Sequence, residues 1–124
     1  MRIANPTAKL GENKACEYLN KLGFKILERN FRKGYGEIDV VAIEKTKDGE
    51  VLAFIEVKTR TSSLFGSPLE SITPWKLRFL IRTAQYYKMT HRNLPESLRI
   101  DAVSVILNGN NAESIELTKN VSGF

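Results

Sequence analysis

Residues 36–42, Gly36-Glu37-Ile38-Asp39-Val40-Val41-Ala42, and residues 54–60, Phe54-Ile55-Glu56-Val57-Lys58-Thr59-Arg60, decide how this chain folds. Each is an apolar run of strand length that carries charge where burial would normally exclude it. The polar stretch between them contains Asp48-Gly49, a good connection for a β-hairpin. Residues two apart on a strand share a face. Glu37 and Asp39 are therefore expected opposite Ile38, Val40 and Ala42, and Glu56, Lys58 and Arg60 opposite Ile55, Val57 and Thr59. A hairpin register that joins the two charged faces makes Asp39, Glu56 and Lys58 converge.

Before this pair, residues 5–22 have the spacing of an amphipathic helix. Asn5 or Thr7 serves as N-cap, Pro6 suits the first turn, and Gly23 is the stop. Ala8, Ala15, Cys16, Tyr18, Leu19 and Leu22 form its apolar stripe. Glu12 falls within that stripe, an acid on the buried side, whereas Glu17 points the opposite way. A first strand is expected over residues 24–30 and a turn over 32–36. The two charged strands then span 37–43 and 51–59 around a polar loop at 45–50, and a loop with Gly66 and Pro68 covers 61–71.

A second helix fits residues 73–89, capped by Thr73 with Pro74 in its first turn. Leu77, Leu80, Ile81, Ala84 and Tyr87 make its core stripe, and Arg78, Arg82 and Gln85 line the other side. A strand at 98–107 and a short one near 115–117 complete the order. Short connections between the early strands imply antiparallel pairing, with helices on the sheet faces and an α/β class.

The length of 124 residues suits one domain with one hydrophobic core. A formal charge of +5 favours polyanionic partners. The lone Cys16 excludes an intramolecular disulfide and reads as buried filler. No basic n-region followed by an apolar run marks a signal peptide, and no segment approaches the roughly 20 apolar residues of a membrane span, so a cytoplasmic protein without a membrane partner is expected. His91, the one histidine, rules out a histidine triad or a His/Cys zinc site assembled from this chain. Gly34-x-Gly36 precedes a strand, which argues against a phosphate-binding loop.

The chemistry that suits these residues is metal-assisted. Asp39 and Glu56 supply carboxylates of the kind Mg²⁺ (or Mn²⁺) takes, with the Val57 backbone carbonyl as a third protein ligand and Glu12 binding directly or through water. Lys58 can position or deprotonate a water, or stabilise a transition state as a fixed cation. Arg60, Lys76, Arg78 and Arg82 are the cations placed to grip phosphates, a solvated basic face being the alternative. Glu37 either assists the site or caps the preceding turn. Trp75, Tyr86 and Tyr87 read as packing residues, with stacking on bases as the alternative. For the Glu-Val-Lys triplet, the alternative is an edge strand whose charges face solvent in weak ion pairs.

Gly11-Glu12, Ala15, Tyr18-Leu19, Gly23-Phe24, Arg29-Asn30-Phe31-Arg32, Gly36-Glu37-Ile38-Asp39 and residues 54–60 together resemble the YraN family of small bacterial proteins. Gly66, Pro68, Lys76, Ala84 and Arg99-Ile100-Asp101-Ala102-Val103 extend the likeness over nearly the whole chain. The resemblance implies a restriction-endonuclease-like core, similar to archaeal Holliday junction resolvases, with a mixed sheet flanked by helices. It implies the acidic-acidic-x-Lys signature at Asp39, Glu56 and Lys58, with Glu12 in the place of the helical glutamate. It further implies a Mg²⁺-dependent DNA nuclease acting on branched or recombination intermediates as a homodimer. A non-cleaving nucleic-acid-binding protein that keeps the fold, and an adaptor whose charges only pair, are the competing readings.

Overall fold

The computed structural model describes residues 5–34, 36–61 and 72–122. Helix α1 spans Pro6–Lys21, followed by strands β1 (Lys25–Lys33), β2 (Gly36–Thr46) and β3 (Gly49–Arg60), helix α2 (Pro74–Thr90), and strands β4 (Ser97–Asn108) and β5 (Asn111–Thr118). The strands form one sheet in the order β1-β2-β3-β4-β5. Pairing is antiparallel except between β3 and β4, which run parallel and are joined through α2. A parallel pair needs such a crossover. The class is thus α/β with a mixed sheet flanked by helices, consistent with the nuclease-like core expected above. The loop expected at 61–71 lies outside the described residues beyond Thr61.

Alternation along β3 divides the core in two. Ala53 and Ile55 pack with Ala15, Cys16 and Leu19 of α1, while Leu52 and Phe54 pack with Leu80, Ala84 and Tyr87 of α2. The helices therefore cover opposite faces. Cys16 is buried in the α1 layer, where burial pushes its thiol pKa up and makes it a packing residue.

Local chemistry sets the helix ends. The Asn5 side chain accepts from the Thr7 and Ala8 amides, so Asn5 is the α1 cap. At the far end Gly23 sits at φ +96°, and the amides of Gly23 and Phe24 donate to the Asn20 and Leu19 carbonyls, a Schellman motif. Thr73 caps α2 through its hydroxyl, which accepts from the Lys76 amide at 3.1 Å.

The strands run past their expected ends, most clearly at β1, β2 and β5. β1 continues to Lys33, with Asn30 accommodated at φ +58°. β2 continues to Thr46, because the Thr46 hydroxyl bonds the Asp48 amide and the Gly49 carbonyl and tightens the hairpin to a two-residue turn. β5 spans Asn111–Thr118, well beyond 115–117, since main-chain pairing with β4 holds its polar residues too. Among the described residues, no helix is long and apolar enough to cross a membrane.

Candidate active site

The β2/β3 ladder runs from Thr46↔Gly49 to Val40↔Ile55, and there its pairing ends. In place of a further main-chain partner, the Val57 amide donates to Asp39 Oδ2 at 2.7 Å. The Asp39 side chain thus stands between the two strands where their ladder stops. Strict alternation fails at the same point. Val40 and Ala42 pack in the α1 layer, but Ile38 packs with Val41 in the α2 layer, contrary to the expectation that Ile38, Val40 and Ala42 share a face. The change of face falls where β3 no longer pairs with β2 and where β1, still paired with β2 on both sides, is interrupted by Asn30 at φ +58°.

Asp39 lines a cavity on each side of the sheet. One, of about 170 Å³, is bounded by Glu12, Val57 and Thr59 together with the start of α1. The other, of about 380 Å³, is bounded by Gly36, Glu37, Glu56, Trp75, Lys76 and Phe79. Asp39 and Glu56 therefore share the second cavity, and Glu12 and Asp39 share the first.

Glu56 is nearly buried, and its Oε1 accepts from Lys76 Nζ at 2.5 Å and lies 3.4 Å from Lys58 Nζ. Two ammonium groups thus converge on one carboxylate. Burial lowers the Lys58 pKa, and the neighbouring Lys76 lowers it further against the pull of Glu56. For Lys76, burial acts downward most strongly, but its bond to Glu56 and the nearby negative charges of Glu56 and Asp39 together outweigh it and raise the pKa. Among the described residues, no such cation is bonded to Asp39. Burial first, and the negative charge of Glu56 second, push its pKa up to about 7 against the lowering effect of the Val57 N–H.

Glu12 reaches the site because α1 lies close on β3. A Cβ on Gly11 would overlap the Thr59 side chain, so glycine is what permits the approach. The Glu12 Oε1 accepts from Arg29 Nε at 2.9 Å and Asn30 Nδ2 at 3.0 Å. Among the described residues, no three acidic, histidine or cysteine side chains form a group that could hold a metal. The carboxylates that could hold a hard cation are Asp39 and Glu56, with Glu37 bordering the same cavity, since Mg²⁺ commonly uses one or two carboxylates and keeps its waters.

The expected phosphate-gripping cations divide. Arg78 and Arg82 are exposed on α2. The Lys76 ammonium is instead engaged with Glu56, and the Arg60 Nε is buried without a hydrogen-bond partner among the described residues. Lys76 is thus a site residue that pattern reading placed only on a basic surface. The sequence offers only a weak signal for this: α2 has no acid in its first turn and carries a lysine there, against the helix dipole. Of the aromatics, Tyr87 is core, its hydroxyl donating to Glu28 at 3.0 Å. Tyr86 is half-buried with Lys33 over its ring, and Trp75 is exposed.

Residues 11–105 match the uncharacterised protein family UPF0102. The chain belongs to the UPF0102 family. It is 44% identical to a UPF0102 protein of Caldicellulosiruptor saccharolyticus over 89% of this chain and 91% of that one. A UPF0102 protein of Syntrophomonas wolfei is 48% identical over 78% and 81% of the two chains, and one of Clostridium kluyveri 40% identical over 89% and 88%. The match begins at Gly11 and includes Glu12, Asp39, Glu56 and Lys58. Pyrococcus furiosus SfsA in complex with Ca²⁺ aligns with 87% of this UPF0102 chain and 58% of its own at 14% identity and a TM-score of 0.30, too weak a likeness to bear on the site.

Proposed function

We propose that this UPF0102 protein is a divalent-metal-dependent nuclease that hydrolyses DNA phosphodiester bonds, with branched or recombination intermediates as its substrates. The observation that carries this reading is the shared cavity of Asp39 and Glu56 at the end of the β2/β3 ladder, with the Lys58 ammonium beside Glu56. Asp39 and Glu56 would hold the cation. A bound Mg²⁺ or Mn²⁺ supplies Lewis-acid activation of water and offsets charge at phosphorus.

The residues of the chain do the rest. The Val57 amide fixes the Asp39 carboxylate through Oδ2. Lys58, with its lowered pKa, is suited to take a proton from water or to neutralise a phosphate oxygen. Glu12, oriented by Arg29 and Asn30, borders the opposite side of Asp39 and positions water there. Paired cuts across a junction need two such sites, so a homodimer belongs to this reading.

A second reading, a DNA-binding protein that does not cleave, is favoured by one observation: Glu56 is already ion-paired with two lysines. Incubation with single-stranded, flapped, duplex and four-way DNA, with and without Mg²⁺ or Mn²⁺, separates the two. The nuclease reading expects a metal-dependent product that Asp39→Asn and Lys58→Ala each reduce at least about a hundredfold while binding survives. Binding that weakens steeply with salt, without product on any substrate, assigns the second reading. Absence of binding at low salt removes both.

A further inference from the structure

Trp75 is 66% exposed at the start of α2, yet it is not an isolated surface residue. It lines the same cavity as Asp39, Glu56 and Lys76. Its ring is stacked with Phe79 at 6.0 Å between centroids and 29° between planes. Phe79 in turn lies so close over Gly36 that a Cβ there would overlap it. The indole is therefore backed by a second ring seated on β2, which restricts its motion and leaves its outer surface to water. Arg78 and Arg82, both exposed, follow Trp75 at helical positions three and seven residues on. They lie about 4.5 and 10.5 Å further along the helix axis.

A flat aromatic surface beside paired carboxylates, continued by a line of cations, matches one ligand chemistry: a nucleobase whose face is free, attached to phosphates. We propose that Trp75 is a stacking platform for an unpaired nucleobase adjoining the phosphate at the Asp39/Glu56 cavity. The substrate class is then nucleic acid with single-stranded or splayed nucleotides at that phosphate. Bases inside a continuous duplex are already stacked on both faces and have none to offer. This inference rests on the nucleic-acid reading above and adds the state of the strand that the site takes. Tyr87 cannot share the role, being buried against Phe31 and Phe54, and Tyr86 is covered by Lys33.

The chain has one tryptophan, so its indole emission, excited selectively over the four tyrosines, reports on Trp75 alone. The Asp39→Asn protein, titrated with a 20-nucleotide oligothymidylate and with a blunt 20-base-pair duplex, gives two readouts, indole emission and the anisotropy of labelled DNA. Stacking expects the single strand to quench the emission and the duplex to leave it nearly unchanged. Trp75→Ala is expected to weaken single-strand binding about 5- to 100-fold, with duplex binding within twofold and Trp75→Phe retaining part of the affinity. Single-strand binding with unchanged emission, or an equal loss on both DNAs in Trp75→Ala, overturns the platform while leaving the nucleic-acid reading intact. Emission that changes with protein concentration in the absence of DNA assigns the surface to a second copy of the chain and also overturns it. If neither DNA binds at low salt, the platform falls together with the reading beneath it.

Discussion

Asp39 is held in a conflict that its neighbours do not resolve. It is half-buried, it faces the Glu56 charge, and among the described residues its hydrogen bond comes from an amide, so its carboxyl is pushed up to about 7 from an ordinary value of 3.8. The folded protein therefore binds this proton more tightly than the unfolded chain does. The resulting stabilisation is complete below about pH 4 and is lost as pH rises through about 7. Asn keeps an oxygen for the Val57 amide but carries no charge. Asp39→Asn is accordingly expected to be more stable than the parent at pH 8, by on the order of 2 kcal/mol, and close to it at pH 4. Urea denaturation of both proteins at the two pH values, without added metal, checks this; equal stability at pH 8 would show that the site does not strain the carboxylate. A residue that costs stability where it stands is the pattern of a functional position.

Two elements position that residue. The hairpin of β2 and β3 carries it, and α1 closes over it through the contact of Gly11 with Thr59. Gly11→Ala is expected to push α1 off β3 and destabilise the fold by about 1–3 kcal/mol, as overpacking of a close contact does. Thr59→Ala removes part of the obstruction, so the double variant should regain some of the loss, a coupling that a double-mutant cycle measures. Additive effects would mean that the two residues do not meet. The same displacement would carry Glu12 away from Asp39, joining packing of the helix to the layout of the site. At the other helix, Lys76 spends its charge on Glu56 across the sheet face, which ties the N-terminus of α2 to β3.

Across the whole molecule, a second charged network, separate from the candidate site's own contacts, ties together strands that are not neighbours in the sheet. Asp101 on β4 is fully buried and accepts two bonds from Arg99, both 2.8 Å, and one from the Asn120 amide at 2.9 Å. Arg99 also reaches Glu44 on β2, and Lys119 bonds the same glutamate. The Val121 amide donates to the Ile100 carbonyl beside it. This network joins β2, β4 and the segment after β5. Removing one partner of a buried pair leaves the other uncompensated, so Asp101→Ala is expected to cost about 3–5 kcal/mol in urea denaturation while sparing any DNA affinity of the folded protein. A loss under 1 kcal/mol would indicate that the network is dispensable.

Element types and order were legible in the sequence, because caps, apolar periodicity and the polar hairpin stretch around Asp48-Gly49 are local signals that tertiary context did not override, although the turn itself falls on Lys47-Asp48 with Gly49 opening β3. Glu56 and Lys58 were legible as a pair on one face, since alternation holds along β3, and their ammonium-carboxylate contact follows from it. The place of Asp39 was not. Alternation assumes a continuous ladder, and only the three-dimensional pairing reveals that the ladder stops at Val40 and that the carboxylate bonds the Val57 amide. Likewise the sequence gives Lys76 a charge and Trp75 a ring, but it cannot say that one is turned inward onto Glu56 and the other outward over the same cavity. Periodicity encodes which face a residue takes within its own element. Which distant groups meet there depends on the packing of α2 against β2 and β3, a long-range arrangement that no local pattern specifies.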